Sequence, residues 1–220
     1  MLALCVTVPV ACFRKGFARE FWESEDLPPP STCYGFLLSL VGEADRRRHV
    51  GVRICPALLP RPRQRPSDAI WPERYAVLRT LWRIKERKPP GTGSNLRPDF
   101  QELLTGVHLA VWLESSGEVG PGPTLEERVA EALEHPERVR RFGGLSLGES
   151  THLVDEVKRL STGEAGPARA YLLAAEGRLS LPVWVDHVGS AGTRFAVGDL
   201  EEIDPSLAPP VERIPQIDPK

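Results

Sequence analysis

The sequence predicts an α+β fold. It has a ferredoxin-like, split βαβ domain, a basic β-hairpin insertion and a small C-terminal β region. Three observations carry this. Segments alternate strand, helix, strand, insertion, strand, helix, strand over residues 1–160. Helical spacing of apolar residues occurs at 32–41 and at 124–134, each beside a capping signal. Residues 56–105 interrupt the order with Pro, Arg and Gly, which the interior of a regular element does not hold.

The elements follow in order. Leu2–Phe13 is apolar and rich in β-branched residues (Val6, Thr7, Val8, Val10), which suits a mostly buried strand. Arg14–Leu27 is a charged loop bearing Phe17, Phe21 and Trp22, with Arg14, Lys15 and Arg19 as its cations. Loops of that length in compact domains are functional or disordered. Pro28, Pro29 and Pro30 fix an extended entry. The spacing then predicts a helix over Thr32–Val41, capped by Ser31 or Thr32 and closed by Gly42. Its apolar face is Tyr34, Leu37, Leu38 and Val41. A helix start of this kind directs free amides toward anions such as phosphate.

His49–Cys55 alternates and stops at Pro56, which predicts the second strand. Pro56–Pro72 is irregular. Tyr75–Lys85 fits one arm of a projecting hairpin, with Lys88–Asn95 as its turn or tip. Gly106–Glu114 is the third strand. Thr124–Glu134 is the second helix, with Thr124 as cap, Glu126 and Glu127 in the first turn, and Leu125, Val129, Ala132 and Leu133 on its apolar face. Residues 140–150 form a glycine-rich loop, and His152–Leu160 reads as the fourth strand. Tyr171–Ala175, Leu181–Asp186 and Arg194–Val197 give short strands. The expected organisation is a domain over 1–160, a β-rich region over 161–203 and a Pro-rich tail over 204–220. The tail has little to bury by itself, which predicts order only against a partner.

Charge divides unevenly. Residues 1–98 carry 17 Lys and Arg against 9 Asp and Glu, and residues 99–220 carry 11 against 21, so the halves are +8 and -10. A basic half suits a polyanionic partner and an acidic half protein contacts or plain solubility, while two solvated faces would give the same counts. Cys5, Cys12, Cys33 and Cys55 make no Cys-x-x-Cys pair, so they read as reduced, buried thiols of a cytoplasmic protein. The N-terminal apolar run has no preceding positive charge, unlike a secretory signal, and no stretch reaches membrane-spanning length. The five histidines are scattered, without metal-ligand spacing, so neither a metal nor another cofactor is expected.

Gly144-Leu145-Ser146-Leu147-Gly148 matches the G-x-S-x-G elbow of serine esterases, with Asp155, Asp186 and His187 in the order a triad would need. Its context argues otherwise. Pro136–Phe142 stands where an apolar strand should lead in, and only 72 residues follow Gly148. Successive glycines have another use, since they let backbone amides approach a phosphate or base closely. Trp71, Tyr75 and Trp82 interleave with Arg74, Arg79 and Arg83. The pattern suits RNA, where bases stack and phosphates meet charge, and equally a hairpin with core aromatics and solvent-facing arginines. The density of positive charge favours RNA or a neighbouring subunit for the segment as a whole.

Three passages together resemble a known family. They are Val8–Arg14, the stretch Pro28–Gly42 and Gly143–Ser150. In this order they are similar to the fifth Cas protein family of type I CRISPR systems, in its Cmx/DevS-like branch. The resemblance implies a RAMP protein with an RRM-like domain, part of the crRNA-guided Cascade complex. It implies that the chain holds the 5′ handle of the crRNA, contacts the backbone subunit through a thumb, docks the large subunit and reaches target DNA through the complex. Carried onto this sequence, the RNA surface comprises Phe13, Arg14, Lys15, Arg19, Ser31, Thr32, Tyr34, Gly143, Gly144, Ser146 and Gly148. The thumb is the basic insertion around 61–98, with Arg74, Arg79 and Arg83. Defence and transposon targeting are both open as the purpose of such a complex.

One subtype of that family cleaves precursor crRNA with a Tyr, a Lys and a His, the last two adjacent. This sequence has Val107 before His108 and no Lys-His dipeptide. It is therefore expected to bind RNA without cutting it. An endoribonuclease of the same fold is the alternative, and an esterase using Ser146 a remote one.

Overall fold

In a computed structural model, which describes residues 1–16, 21–61, 71–82, 96–161 and 167–220, the chain opens with strand β1 (Leu2–Ala11). The expected residues Arg19 and Arg83 and the turn Lys88–Asn95 lie outside the described residues. After β1 come a two-residue strand β2 (Phe21–Trp22), helix α1 (Pro30–Leu40) and strand β3 (Arg53–Leu58). Strands β4 (Glu73–Trp82) and β5 (Leu96–Glu114), helix α2 (Leu125–Glu134) and strand β6 (Glu156–Arg159) complete the first part. Strands β7 (Ala168–Leu173), β8 (Leu179–Trp184) and β9 (Arg194–Ile203) follow.

The order β6-β1-β5-β3 is antiparallel throughout, and residues of both helices share the core on one face of these strands. That is the ferredoxin-like plan. β7, β9 and β8 extend the same sheet beyond β3, through Ala57↔Ala170 and Leu58↔Arg169. β4 and β5 form the expected hairpin, paired from Glu73↔Thr105 to Trp82↔Leu96. The strand expected at 106–114 therefore runs back to Leu96, because its first half has its own partner. Gly106 marks the change: its φ is 70°, and a Cβ there would meet the Arg61 guanidinium.

Strand alternation sorts the side chains. Leu4, Val6 and Val8 of β1, with Val107, Leu109, Val111 and Leu113 of β5, face α1 and α2. Cys55, Ala57, Ala110, Trp112, Ala170 and Leu172 form a smaller core on the opposite face. All four cysteines are buried and none forms a disulfide among the described residues, and burial pushes the Cys33 and Cys55 thiols upward. α2 has the full capping box between Thr124 and Glu127.

Three expectations are corrected. α1 is not capped by Ser31 or Thr32: Pro29 occupies the cap and Pro30 the first helical position, with no side-chain cap. Proline suits the first helical position because its missing N–H would be unpaired there anyway. Thr32 N–H is spent on Pro29 C=O at 2.9 Å, so the first turn offers few amides to an anion. β3 begins later than predicted and runs through Pro56. Ile54 N–H points away from β5 and donates to Pro215 C=O at 2.9 Å. By alternation, the missing N–H of Pro56 lies on that same side and costs β3 no bond to β5.

The tail is ordered against its own chain. Ile217 exchanges backbone bonds with Gly51 and Val52, and Ile214 and Ile217 are fully buried. Arg53 donates to Ile214 C=O at 3.1 Å, and Arg213 pairs with Glu201. Ile214 covers the core around Trp112. No helix among the described residues is long and apolar enough to cross a membrane.

Ile217→Ala should cost about 2–5 kcal/mol of stability in urea unfolding. Val188→Ala, at a 99% exposed position, should stay within about 0.5 kcal/mol.

Candidate nucleic-acid interface

Beyond β1 the chain makes a short antiparallel ladder on itself. Phe13 N–H donates to Ser24 Oγ at 2.9 Å, Glu25 N–H to Phe13 C=O at 2.8 Å, and Lys15 N–H to Glu23 C=O at 2.9 Å. This ladder turns Arg14 back over Trp22, with the guanidinium carbon 4.2 Å from the ring centre. Phe13 is buried beneath.

The glycine loop meets the same point. Leu147 anchors it in the core. Gly148 has φ 101°, and a Cβ there would lie 2.8 Å from Cys12 C=O, so only glycine allows this approach. His152 Nδ1 accepts the N–H of Cys12 and of Glu149, both at 3.2 Å. Two donors on Nδ1 put the ring proton on Nε2. Nε2 lies 3.9 Å from a Glu149 oxygen.

Between ladder, loop and α1 lies a groove of about 530 Å³. Arg14, Trp22, Thr32, Arg79 and Gly148 line it. Arg79 projects from β4, bonds Glu149 at 2.8 Å and Gln101, and lies 5.9 Å from the Trp22 ring centre. Gln101 in turn donates to Glu149 at 2.7 Å. Trp22 Nε1 and Ser31 Oγ are buried without a hydrogen-bond partner among the described residues. Trp22 lines this groove and Ser31 the hollow beside it. Such orphaned groups call for an explanation, and a bound polar ligand is one.

The structure thus brings Phe13, Arg14, Thr32, Arg79 and Gly148 together. Ser31, Tyr34 and Ser146 line the adjoining hollow, where the Tyr34 hydroxyl already donates to Arg46 C=O at 2.8 Å. Lys15 pairs with Glu23 at 3.4 Å. Arg74 engages Glu102 at 2.6 Å, Ser24 C=O and Asp26, away from the groove. Gly143 is exposed and open, and Gly144 approaches Leu153. Gln101, Glu149 and His152 carried no signal in the sequence, because pairing across distant strands brings them here. Trp22 had a weak one, as an aromatic among charges in a long loop.

Other chemistries find less. Gly144–Gly148 follows the 3-10 turn Pro136–Arg138 and is not a strand–turn–helix elbow. Asp186 accepts from the amides of Val188, Gly189 and Gly192, which hold its pKa below the usual carboxylate range. His108 is buried, with Nε2 3.1 Å from Cys5 Sγ and Nδ1 3.1 Å from Pro60 C=O. Among the described residues no cluster of His, Cys, Asp or Glu could hold a metal ion.

Fold and groove define a ferredoxin-like protein with a projecting hairpin and a cationic, aromatic-lined cleft at the end of its first strand. No family model matches the chain. It is 50% identical over 220 residues to a CRISPR-associated protein Cas5 of Myxococcus xanthus (strain DK1622), covering 99% of this chain and 97% of that one. A solved structure described as a CRISPR RNA-guided surveillance complex is similar at TM-score 0.55 and 13% identity, over 92% of this chain and 88% of that chain. A second, described as a crystal structure of a Cas protein, has TM-score 0.47 and 16% identity over 100% and 99%. The chain belongs to the CRISPR-associated Cas5 family.

His152 gives the site a pH signature. Burial holds its pKa below the ordinary value, Arg79 adds to this, and Glu149 opposes it. Protonation would set a new N–H against two donors. The stability His152 contributes is therefore complete above about 6.5, its unfolded value, and is lost as pH falls through the lowered folded one. The stability difference between the wild type and His152→Asn should shrink between about pH 8 and about pH 5 in urea unfolding. A constant difference would contradict the assigned proton.

Proposed function

We propose that this Cas5 chain is the Cascade subunit that holds the 5′ handle of the crRNA, and that the handle enters the groove beside Trp22. The carrying observation is the convergence of Arg14 and Arg79, Trp22 and Gly148 on one cleft. Guanidinium groups meet phosphates, the indole and the Arg14 plane stack bases, and Gly148 admits a close backbone. That the similar surveillance complex is RNA-guided supports this reading.

The remaining parts follow from it. Residues 1–160 form the RNA-holding domain, and 161–203 its β-rich extension. The β4–β5 hairpin serves as the thumb against the backbone subunit; Leu78 and Phe100, a cross-strand pair on its outer face, are both exposed. The large subunit docks on the same chain, and target DNA is reached through the assembled complex. Arg83, Lys15, Arg19 and the Gly143–Gly144 turn extend the RNA surface.

The chain holds RNA without cutting it. Both nitrogens of His108 are engaged, and Val107 stands where the processing subtype has a lysine. A separate enzyme supplies the crRNA. Repeat RNA incubated with the purified chain without metal should stay intact; specific cleavage that His108→Ala abolishes would overturn this.

Arg14→Glu and Arg79→Glu should each abolish recovery of crRNA by its 5′ end in pull-downs. Milder Arg→Ala changes should lower the slope of log affinity against log salt by about 0.7 per lost phosphate contact. Unchanged recovery and slope would refute the groove as the RNA site.

A further inference from the structure

The groove is one end of a longer depression along α1. Thr32 and Gly148 wall both the groove and a second hollow of about 350 Å³. That hollow shares Gly35, Leu38 and Ser39 with a third, of about 780 Å³, which ends at Arg140, Arg141 and Phe142. The helix has 11 residues and so spans ~16 Å.

The chemistry of the groove repeats along this path. The Arg46 guanidinium lies over Trp184, its carbon 3.8 Å from the ring centre, and donates to Val185 C=O at 2.6 Å. Arg46 and Trp184 both line the second hollow, as Arg14 and Trp22 line the first. Phe142, at the far end, is fully exposed. Arg140 and Arg141 beside it make no side-chain ion pair or hydrogen bond among the described residues. The one acid of the third hollow, Glu43, is neutralised by Arg128 at 2.5 Å and Arg48 at 3.3 Å. The floor is open: a Cβ on Gly35 would meet nothing within 4 Å.

We infer that this depression is a single-stranded RNA track, in which the strand held at Trp22 continues over Gly35 and Arg46 and stacks its far base on Phe142. The inference rests on the groove being an RNA site and adds its extension. A charged track with planar groups at intervals suits a flexible polyanion with a π-face at every base.

The test uses the purified full chain and two fluorescent single-stranded RNAs with the crRNA 5′ sequence, about 4 and about 12 nucleotides long. Phe142→Ala removes an exposed ring without disturbing packing. Gly35→Leu fills the track with a better helix former, so the thermal midpoint should hold or rise. Each should weaken the longer RNA by about tenfold and leave the shorter one unchanged, while Arg14→Glu loses both. If Arg14→Glu loses both but the two track variants bind the longer RNA normally, the track is refuted and the groove stands. If both variants weaken the two RNAs alike, or instead impair only assembly with a protein subunit, the track is likewise refuted. If neither RNA binds the wild type, groove and track fall together.

Discussion

The structure depends on one continuous backbone, β5. Its 19 residues pair with β1 and β3 in the core and with β4 and β2 outside it. The core half is clamped on both edges, so the outer half cannot pivot as a free loop would. That rigidity carries Gln101, and through cross-strand pairing Arg79, to a fixed position beside the end of β1. A hairpin hung on a flexible linker could supply the same charges but not the same geometry.

The second constraint is the contact between Gly148 and Cys12. The glycine loop reaches β1 only because no side chain intervenes, and His152 fastens the approach by accepting an amide from each side. The resulting cleft is walled by the end of β1, Trp22 of β2, the start of α1, Arg79 of β4 and the glycine loop. Its charges are also tethered. Glu149 holds Arg79 and Gln101 through separate oxygens, which ties the hairpin to the loop across the cleft. In a site for a polyanion, such a carboxylate orients a guanidinium at the cost of some attraction.

The order of elements was legible in the sequence because period and capping were locally consistent. α2 illustrates it: Thr124 and Glu127 cap each other as their spacing implies. Where the reading failed, nonlocal partners decided. Pro56 looked like a stop, yet its missing N–H falls on the side of β3 away from β5. The tail looked partnerless, yet Ile214 and Ile217 found a core under β3. Ser31 looked like a cap, but two prolines had already taken the cap and first turn. In the site, Arg14, Arg79 and Gly148 were legible as charge and glycine pattern. Trp22 was visible only as an aromatic in a long loop, and Glu149, Gln101 and His152 not at all, because their roles arise from the strand pairing and the loop closure.

The central claim is that RNA lies at the junction of β1, α1 and the glycine loop. Photo-crosslinking of crRNA in the assembled complex, with adducts mapped by mass spectrometry, tests it most directly. The account predicts adducts between 5′ nucleotides and Trp22, with further adducts in residues 143–150. Adducts confined to the opposite face of the sheet, around Thr7 and Lys158, with none at Trp22, would contradict it.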